Sequence, residues 1–272
     1  NNSNSAISIK DLSNNGDFNS AYKFYLDEKC HFYFQKTYSN IDKELINKEV
    51  EIYHTDFSNE QYPSFIIHTD LPLDKNKIFL PYLPYQTLRI FLEEKQDKLT
   101  PIDKFVIIKE IGLGLKELHD HLIFHQNLNS SYIMINNEQD SYISNFVIDF
   151  KKESIQTKLV PSFYYRHPDL IQKAHSFIKT TDFDYEENNI ERYTKYDIYS
   201  YGILIHEILT SKKIEKFFDG LSHQEKINLL TKGYDYIFKS QKEKYDSKYD
   251  IEGICEIVKK CIDIDNPYSS ME

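Results

Sequence analysis

Cysteine is scarce in this sequence. There are three in 272 residues, Cys30, Cys255 and Cys261, an odd number without metal-ligand spacing. That excludes a disulfide-stapled scaffold and a structural zinc site, and it fits core thiols in a reducing compartment. No apolar run approaches the roughly 18 residues of a membrane span. Asn1–Ser5 also lack the basic start and apolar middle of a signal peptide. Basic charge is short as well: 33 lysines and arginines stand against 43 acids, a formal charge of −10, which argues against a nucleic-acid binder. The partners expected are proteins, with no nucleic acid and no membrane, in a cytoplasmic (intracellular) setting; oligomeric state stays open. Glycines (seven) and prolines (eight) are few for the length and no internal repeat is visible.

What is present builds a core. Apolar residues make up 40% of the chain and aromatics 15%, enough to exclude disorder of the bulk and to fill one large or two small domains. Segments 21–26 and 30–38 are aromatic-rich and read as a hairpin around the polar turn Asp27-Glu28-Lys29. From Asp42 to Tyr53, Leu45, Ile46, Val50 and Tyr53 recur at helical spacing. Two further strands are expected over 64–69 and 77–82. Beyond Thr87 the pattern turns helical. Thr100-Pro101 opens a helix whose apolar face is expected to carry Phe105, Ile108, Ile111, Leu115 and Leu118, ending at His119. Short strands are expected over 132–135 and 142–146 around the turn Asn136–Asp140, and helices over 197–209, 224–233 and 253–262.

Gly114-Leu115-Lys116-Glu117-Leu118-His119, followed by His125-Gln126-Asn127-Leu128, resembles the helix and catalytic loop of the protein kinases, especially the tyrosine-kinase-like group. Ser144-Asn145-Phe146 matches the place of the magnesium loop, His167-Pro168-Asp169 resembles the Ala-Pro-Glu element, and Asp197–Gly202 resembles the start of the central helix. Gly16-Asp17-Phe18, Lys36, Glu49 and the hinge-like Leu80-Pro81-Tyr82-Leu83 precede them in family order. The resemblance implies an α+β, bilobal fold. A small antiparallel-sheet lobe with one helix is expected over 1–83 and a larger, mainly helical lobe over 84–272, together one domain of a longer polypeptide.

It also frames the chemistry. Phosphoryl transfer in this family needs a carboxylate base, two magnesium ligands and a lysine held by a glutamate. At the base position stands Asn127, whose amide accepts no proton near neutral pH; loss of a general base costs about 10²- to 10⁴-fold. Tyr132 replaces the magnesium-binding asparagine, and Asn145 and Val147 replace the magnesium aspartate and its glycine, so no metal is expected. A shifted register would restore one ligand through Asp149. The glycine-rich loop keeps only Gly16, with Asn14 and Asn19 at its other glycine places. Lys36 and Glu49 match the lysine and glutamate, and with Gly16 and Leu83 they outline a vestigial nucleotide pocket. Phe34, two residues before Lys36 and on the same strand face, is expected to fill part of it. No cofactor is required, although ATP without magnesium is expected to bind weakly.

The elements that hold the fold are kept. His125 and Phe146 match the apolar stack that couples the lobes, and Asp197 matches the aspartate that binds the catalytic-loop backbone. The acidic, aromatic segment 182–187 reads as a solvated loop, with a docking surface for a basic partner as the alternative. The expected function is that of a pseudokinase: a catalytically inactive scaffold or allosteric signalling module. A metal-independent nucleotide sensor and a weak phosphotransferase using Asp149 are the alternatives.

Overall fold

A computed structural model describes residues 20–26, 32–38, 43–55, 57, 64–69, 77–81, 86–95, 98–146, 161–176, 190–234 and 254–263. Strands β1 (Ser20–Leu26), β2 (Phe32–Tyr38) and β3 (Lys77–Pro81) form an antiparallel sheet in the order β1-β2-β3, with Lys36 opposite Tyr22 and Ile78. Between β2 and β3 comes α1 (Lys43–His54), which buries Ile46, Val50 and Tyr53, residues spaced along one helical face. A second small sheet joins β4 (Gln86–Thr87), β5 (Ile133–Ile135) and β6 (Ser141–Ile143). The remaining elements are helical: α2 (Leu88–Lys95), α3 (Pro101–Asp120), α4 (Pro168–Ser176), α5 (Ile190–Thr210), α6 (His223–Leu230) and α7 (Ile254–Cys261), with 3₁₀ turns at Pro161–Tyr165 and Ile214–Phe218. This is the bilobal α+β arrangement expected. Among the described residues, no helix is long and apolar enough to cross a membrane.

The two sheets are tied by a segment read from sequence as a strand. Residues 64–69 form no strand in the structure; a single parallel bridge links Ile66 to Ile143. The reason lies in its hydrogen bonds. The Ile67 N–H donates to the Ile143 carbonyl and the Ile143 N–H to the Phe65 carbonyl, whereas the Thr69 N–H turns to the Tyr53 carbonyl and the Thr69 hydroxyl to that of Phe79. The segment therefore spans from β6 to α1 and β3, and pairs fully with neither sheet.

α3 begins with a capping box. The Asp103 N–H donates to Thr100 Oγ1 and the Thr100 N–H to Asp103 Oδ2, with Pro101 at the first helical position. Its core face carries Ile107, Ile108, Ile111, Leu115 and Leu118. Phe105 does not belong there: it is 47% exposed, beside Ile102 at 74% and Val106 at 42%. At about 100° per residue these three lie opposite the core stripe, so apolar spacing alone could not assign a side. α5 is buried nearly throughout from Thr194 to Leu209. Gly202 lets α7 approach, for a Cβ there would meet Cys261 Cβ at 2.6 Å and Ile262 Cγ2 at 2.9 Å. At its C-terminus the buried Lys104 ammonium of α3 donates to the Leu209 carbonyl at 2.7 Å, placing a cation where helix carbonyls are otherwise unpaired. Beyond Ile143 the chain leaves β6 earlier than the sequence suggests. The Ser144 N–H and hydroxyl both donate to the Tyr132 carbonyl, and Asn145 takes a left-handed φ of 64°.

Candidate functional site

Residues distant in sequence converge where β2, α1 and the end of β6 meet. Lys36 and Glu49 are both buried; the Lys36 ammonium donates to Glu49 Oε1 at 2.7 Å and to Asn145 Oδ1 at 2.8 Å. A buried ion pair holds only when hydrogen bonds satisfy its groups, and the Asn145 amide accepts one. The Asn145 N–H donates to the Tyr53 hydroxyl at 2.9 Å. Phe146 packs edge-on against Tyr53, with ring centres 5.3 Å apart, and tilts against His125 at 5.5 Å. Tyr132 stacks on His125 at 6.3 Å. The result is a continuous series, Tyr53–Phe146–His125–Tyr132. From sequence Tyr53 was read only as an apolar position of the helix, not as a residue of the site. Its position four residues after Glu49, hence on the same helical face, was the available signal.

The loop around His125 is held from α5. Asp197 Oδ2 accepts the His125 N–H at 2.8 Å, Oδ1 accepts the Gln126 N–H at 2.6 Å, and His119 Nε2 stands 3.0 Å from Oδ2. Asp197 thus binds the backbone of the loop around His125, the contact that the resemblance implies. Gln126 has a left-handed φ of 59°, an uncommon backbone state for a non-glycine residue, and the two carboxylate bonds offset that strain. Burial pulls the His125 imidazole below its ordinary pKa, with the Asp197 charge opposing. A neutral ring fits its bonds: Nε2–H donates to the Ser144 carbonyl at 3.0 Å and Nδ1 accepts the Asn127 N–H at 3.3 Å.

Asn127 is buried; its carbonyl accepts from Asn129 Nδ2 at 2.7 Å, and its Oδ1 has no hydrogen-bond partner among the described residues. Tyr132 is buried too. Phe34 lies in β2 opposite Phe24 and Leu80, and its side chain is outside what the structure describes. Gly16, Leu83 and Asp149, with Asn14, Asn19, Val147 and the 182–187 segment, lie outside the described residues.

A second buried polar group was not read from sequence. The Tyr165 hydroxyl donates to Glu207 Oε2 and lies 2.9 Å from Ser130 Oγ, while the Arg89 N–H donates to the Ser130 carbonyl at 3.0 Å. Burial, and Glu215 nearby, push the Glu207 carboxyl up to about 7, against the hydrogen bonds from Tyr165 and Ser130. α5 is thereby joined to the loop after His125 and to the turn before α4. Burial lowers His167 to about 4 and His206 to about 3. Among the described residues no cluster of three or more histidine, cysteine or acidic side chains could hold a metal ion.

The sequence has its counterpart in a known family. The model of the protein tyrosine and serine/threonine kinase family matches residues 36–266, and the chain belongs to that family. Curated relatives include the G-type lectin S-receptor-like serine/threonine-protein kinase RKS1 of Arabidopsis thaliana, 27% identical over 58% of this chain and 18% of its own length. The dual specificity protein kinase pyk3 of Dictyostelium discoideum is 24% identical over 61% of this chain and 11% of its own length. Mitogen-activated protein kinase 12 of Danio rerio is 24% identical over 61% of this chain and 42% of its own length. The match thus spans less than a fifth of the first two relatives.

Proposed function

We propose that this protein kinase domain is a pseudokinase of the tyrosine-kinase-like group, which acts through protein contacts as a scaffold or allosteric signalling module in the cytoplasm. In this reading residues 1–83 form the smaller lobe and 84–272 the larger, within a longer protein. The observation that carries it is the amide of Asn145 accepting a hydrogen bond from Lys36 at 2.8 Å. A neutral amide there adds no charge to hold a hard divalent cation against phosphate. Asn127 extends the argument, because its amide cannot take the proton of an attacking hydroxyl. Tyr132, stacked on His125, brings an aromatic ring where a second metal ligand is needed. The relatives carry the names of kinases, so the reading rests on this chain's own side chains.

One observation favours a second reading, a metal-independent nucleotide sensor: the Lys36–Glu49 pair is intact, and such a lysine can meet phosphate oxygens without magnesium. A thermal-shift titration with ATP, with and without magnesium, separates the readings. The scaffold predicts no rise in Tm, the sensor a rise that is the same without metal. A rise that requires magnesium would contradict both and favour a phosphotransferase using Asp149.

A further inference from the structure

Tyr53 joins the site from three directions. Its carbonyl accepts the Thr69 N–H at 2.8 Å, its ring meets Phe146 edge-on, and its hydroxyl accepts the Asn145 N–H at 2.9 Å. The side chain is fully buried on the last turn of α1. Packing alone does not account for the hydroxyl, because phenylalanine would fill the same space. What the hydroxyl adds is a partner for a backbone N–H on a residue at φ 64°. Asparagine tolerates that conformation better than most residues, but losing the partner of an N–H in this part-buried position still costs free energy.

We propose that the Tyr53 hydroxyl is a latch: it holds Asn145 and Phe146 against α1, so that the chain itself, without a bound ligand, assembles the Lys36–Glu49–Asn145 arrangement and the stack below it. Asn145 is then gripped at both ends, its N–H by α1 and its side chain by Lys36 of β2. Movement of α1 away from the loop breaks the Tyr53 bond, the Lys36 bridge and the Phe146 contact together, so the pieces open as one unit. The latch goes beyond the pseudokinase reading and does not depend on whether phosphate is transferred.

Residue-resolved amide hydrogen exchange on the whole 272-residue chain, without nucleotide, tests it in Tyr53→Phe. The latch predicts exchange at least about tenfold faster at Asn145 and in the last turn of α1, with the amides of α5 unchanged. In Asn145→Gly, which keeps the N–H and tolerates the positive φ, the amide of residue 145 stays protected. Equal acceleration throughout the protein, no acceleration at Asn145, or failure of Tyr53→Phe to fold would each overturn the proposal, since the lost bond would then be merely structural or idle.

Discussion

Asp197 carries the loop on which the reading of the site depends, through two short bonds to the N–H groups of His125 and Gln126. Its replacement by alanine removes both bonds and leaves the buried His125 N–H without its carboxylate acceptor, at about 1–3 kcal/mol. Asp197→Ala should therefore lower Tm by several degrees in a thermal melt, and an unchanged melt would contradict a structural role. Phe105 is a contrast. Assigned by spacing to the core and found exposed, it should accept Phe105→Glu with a stability change within about 0.5 kcal/mol in a denaturant titration. The two residues mark how far the sequence was legible. Asp197 sits in a motif whose order along the chain fixes its neighbours, whereas Phe105 lies on a helix apolar on opposite sides, where periodicity names no inward face. The hydrogen bonds of Tyr53 and Glu207 escaped for a further reason: their partners, Asn145 and Tyr165, are 92 and 42 residues away, and only the fold brings them together.

Elements were legible where they are long or strongly patterned. The hairpin of β1 and β2, the capped start of α3 and the body of α5 all stood out, although α5 begins at Ile190, seven residues before the expected Asp197. α2 and α4, of eight and nine residues, went unseen, whereas α6 and α7, of eight residues each, were read over 224–233 and 253–262; shortness alone does not separate the two pairs. How elements meet was less visible still. Gly202 read as part of a motif, yet its physical role is to let α7 lie against α5. Gly202→Ala should force the two helices apart and cost about 1–3 kcal/mol, measured by denaturant unfolding; wild-type stability would contradict the packing described. Cys261 at that contact has its thiol pushed up to about 12 by burial. It should resist alkylation by iodoacetamide until the protein is unfolded.

At the scale of the molecule, pH sensitivity follows from described groups whose neutral form is favoured by burial. His125, His167 and His206 have folded-state pKa values below the ordinary 6.5, the last two at about 4 and 3. The unfolded chain therefore binds more protons than the folded one as pH falls from about 6.5 toward 4, and stability is lost across that window. Glu207 acts oppositely. Its raised value of about 7 means the folded state binds the extra proton between about 4.5 and 7, so acidification adds stability through this one group. Among the described residues the three histidines outweigh the raised carboxyls Glu207 and Glu110, and Tm should fall from pH 7 to pH 5. Glu207→Gln should steepen that fall and raise Tm at pH 8; a Tm that rises on acidification would contradict the balance. The central claim concerns activity, and the assay is incorporation of radiolabelled phosphate from ATP with magnesium, into generic protein substrates and into the chain itself. Active kinases turn over at about 1–100 per second, and in the proposed pseudokinase reading the loss of base and metal ligands reduces this by at least about 10⁴-fold. The account predicts no incorporation above background, and any trace that persists in Lys36→Ala would be a contaminant. Incorporation by the wild-type chain that disappears in Lys36→Ala or Asp149→Ala would contradict it.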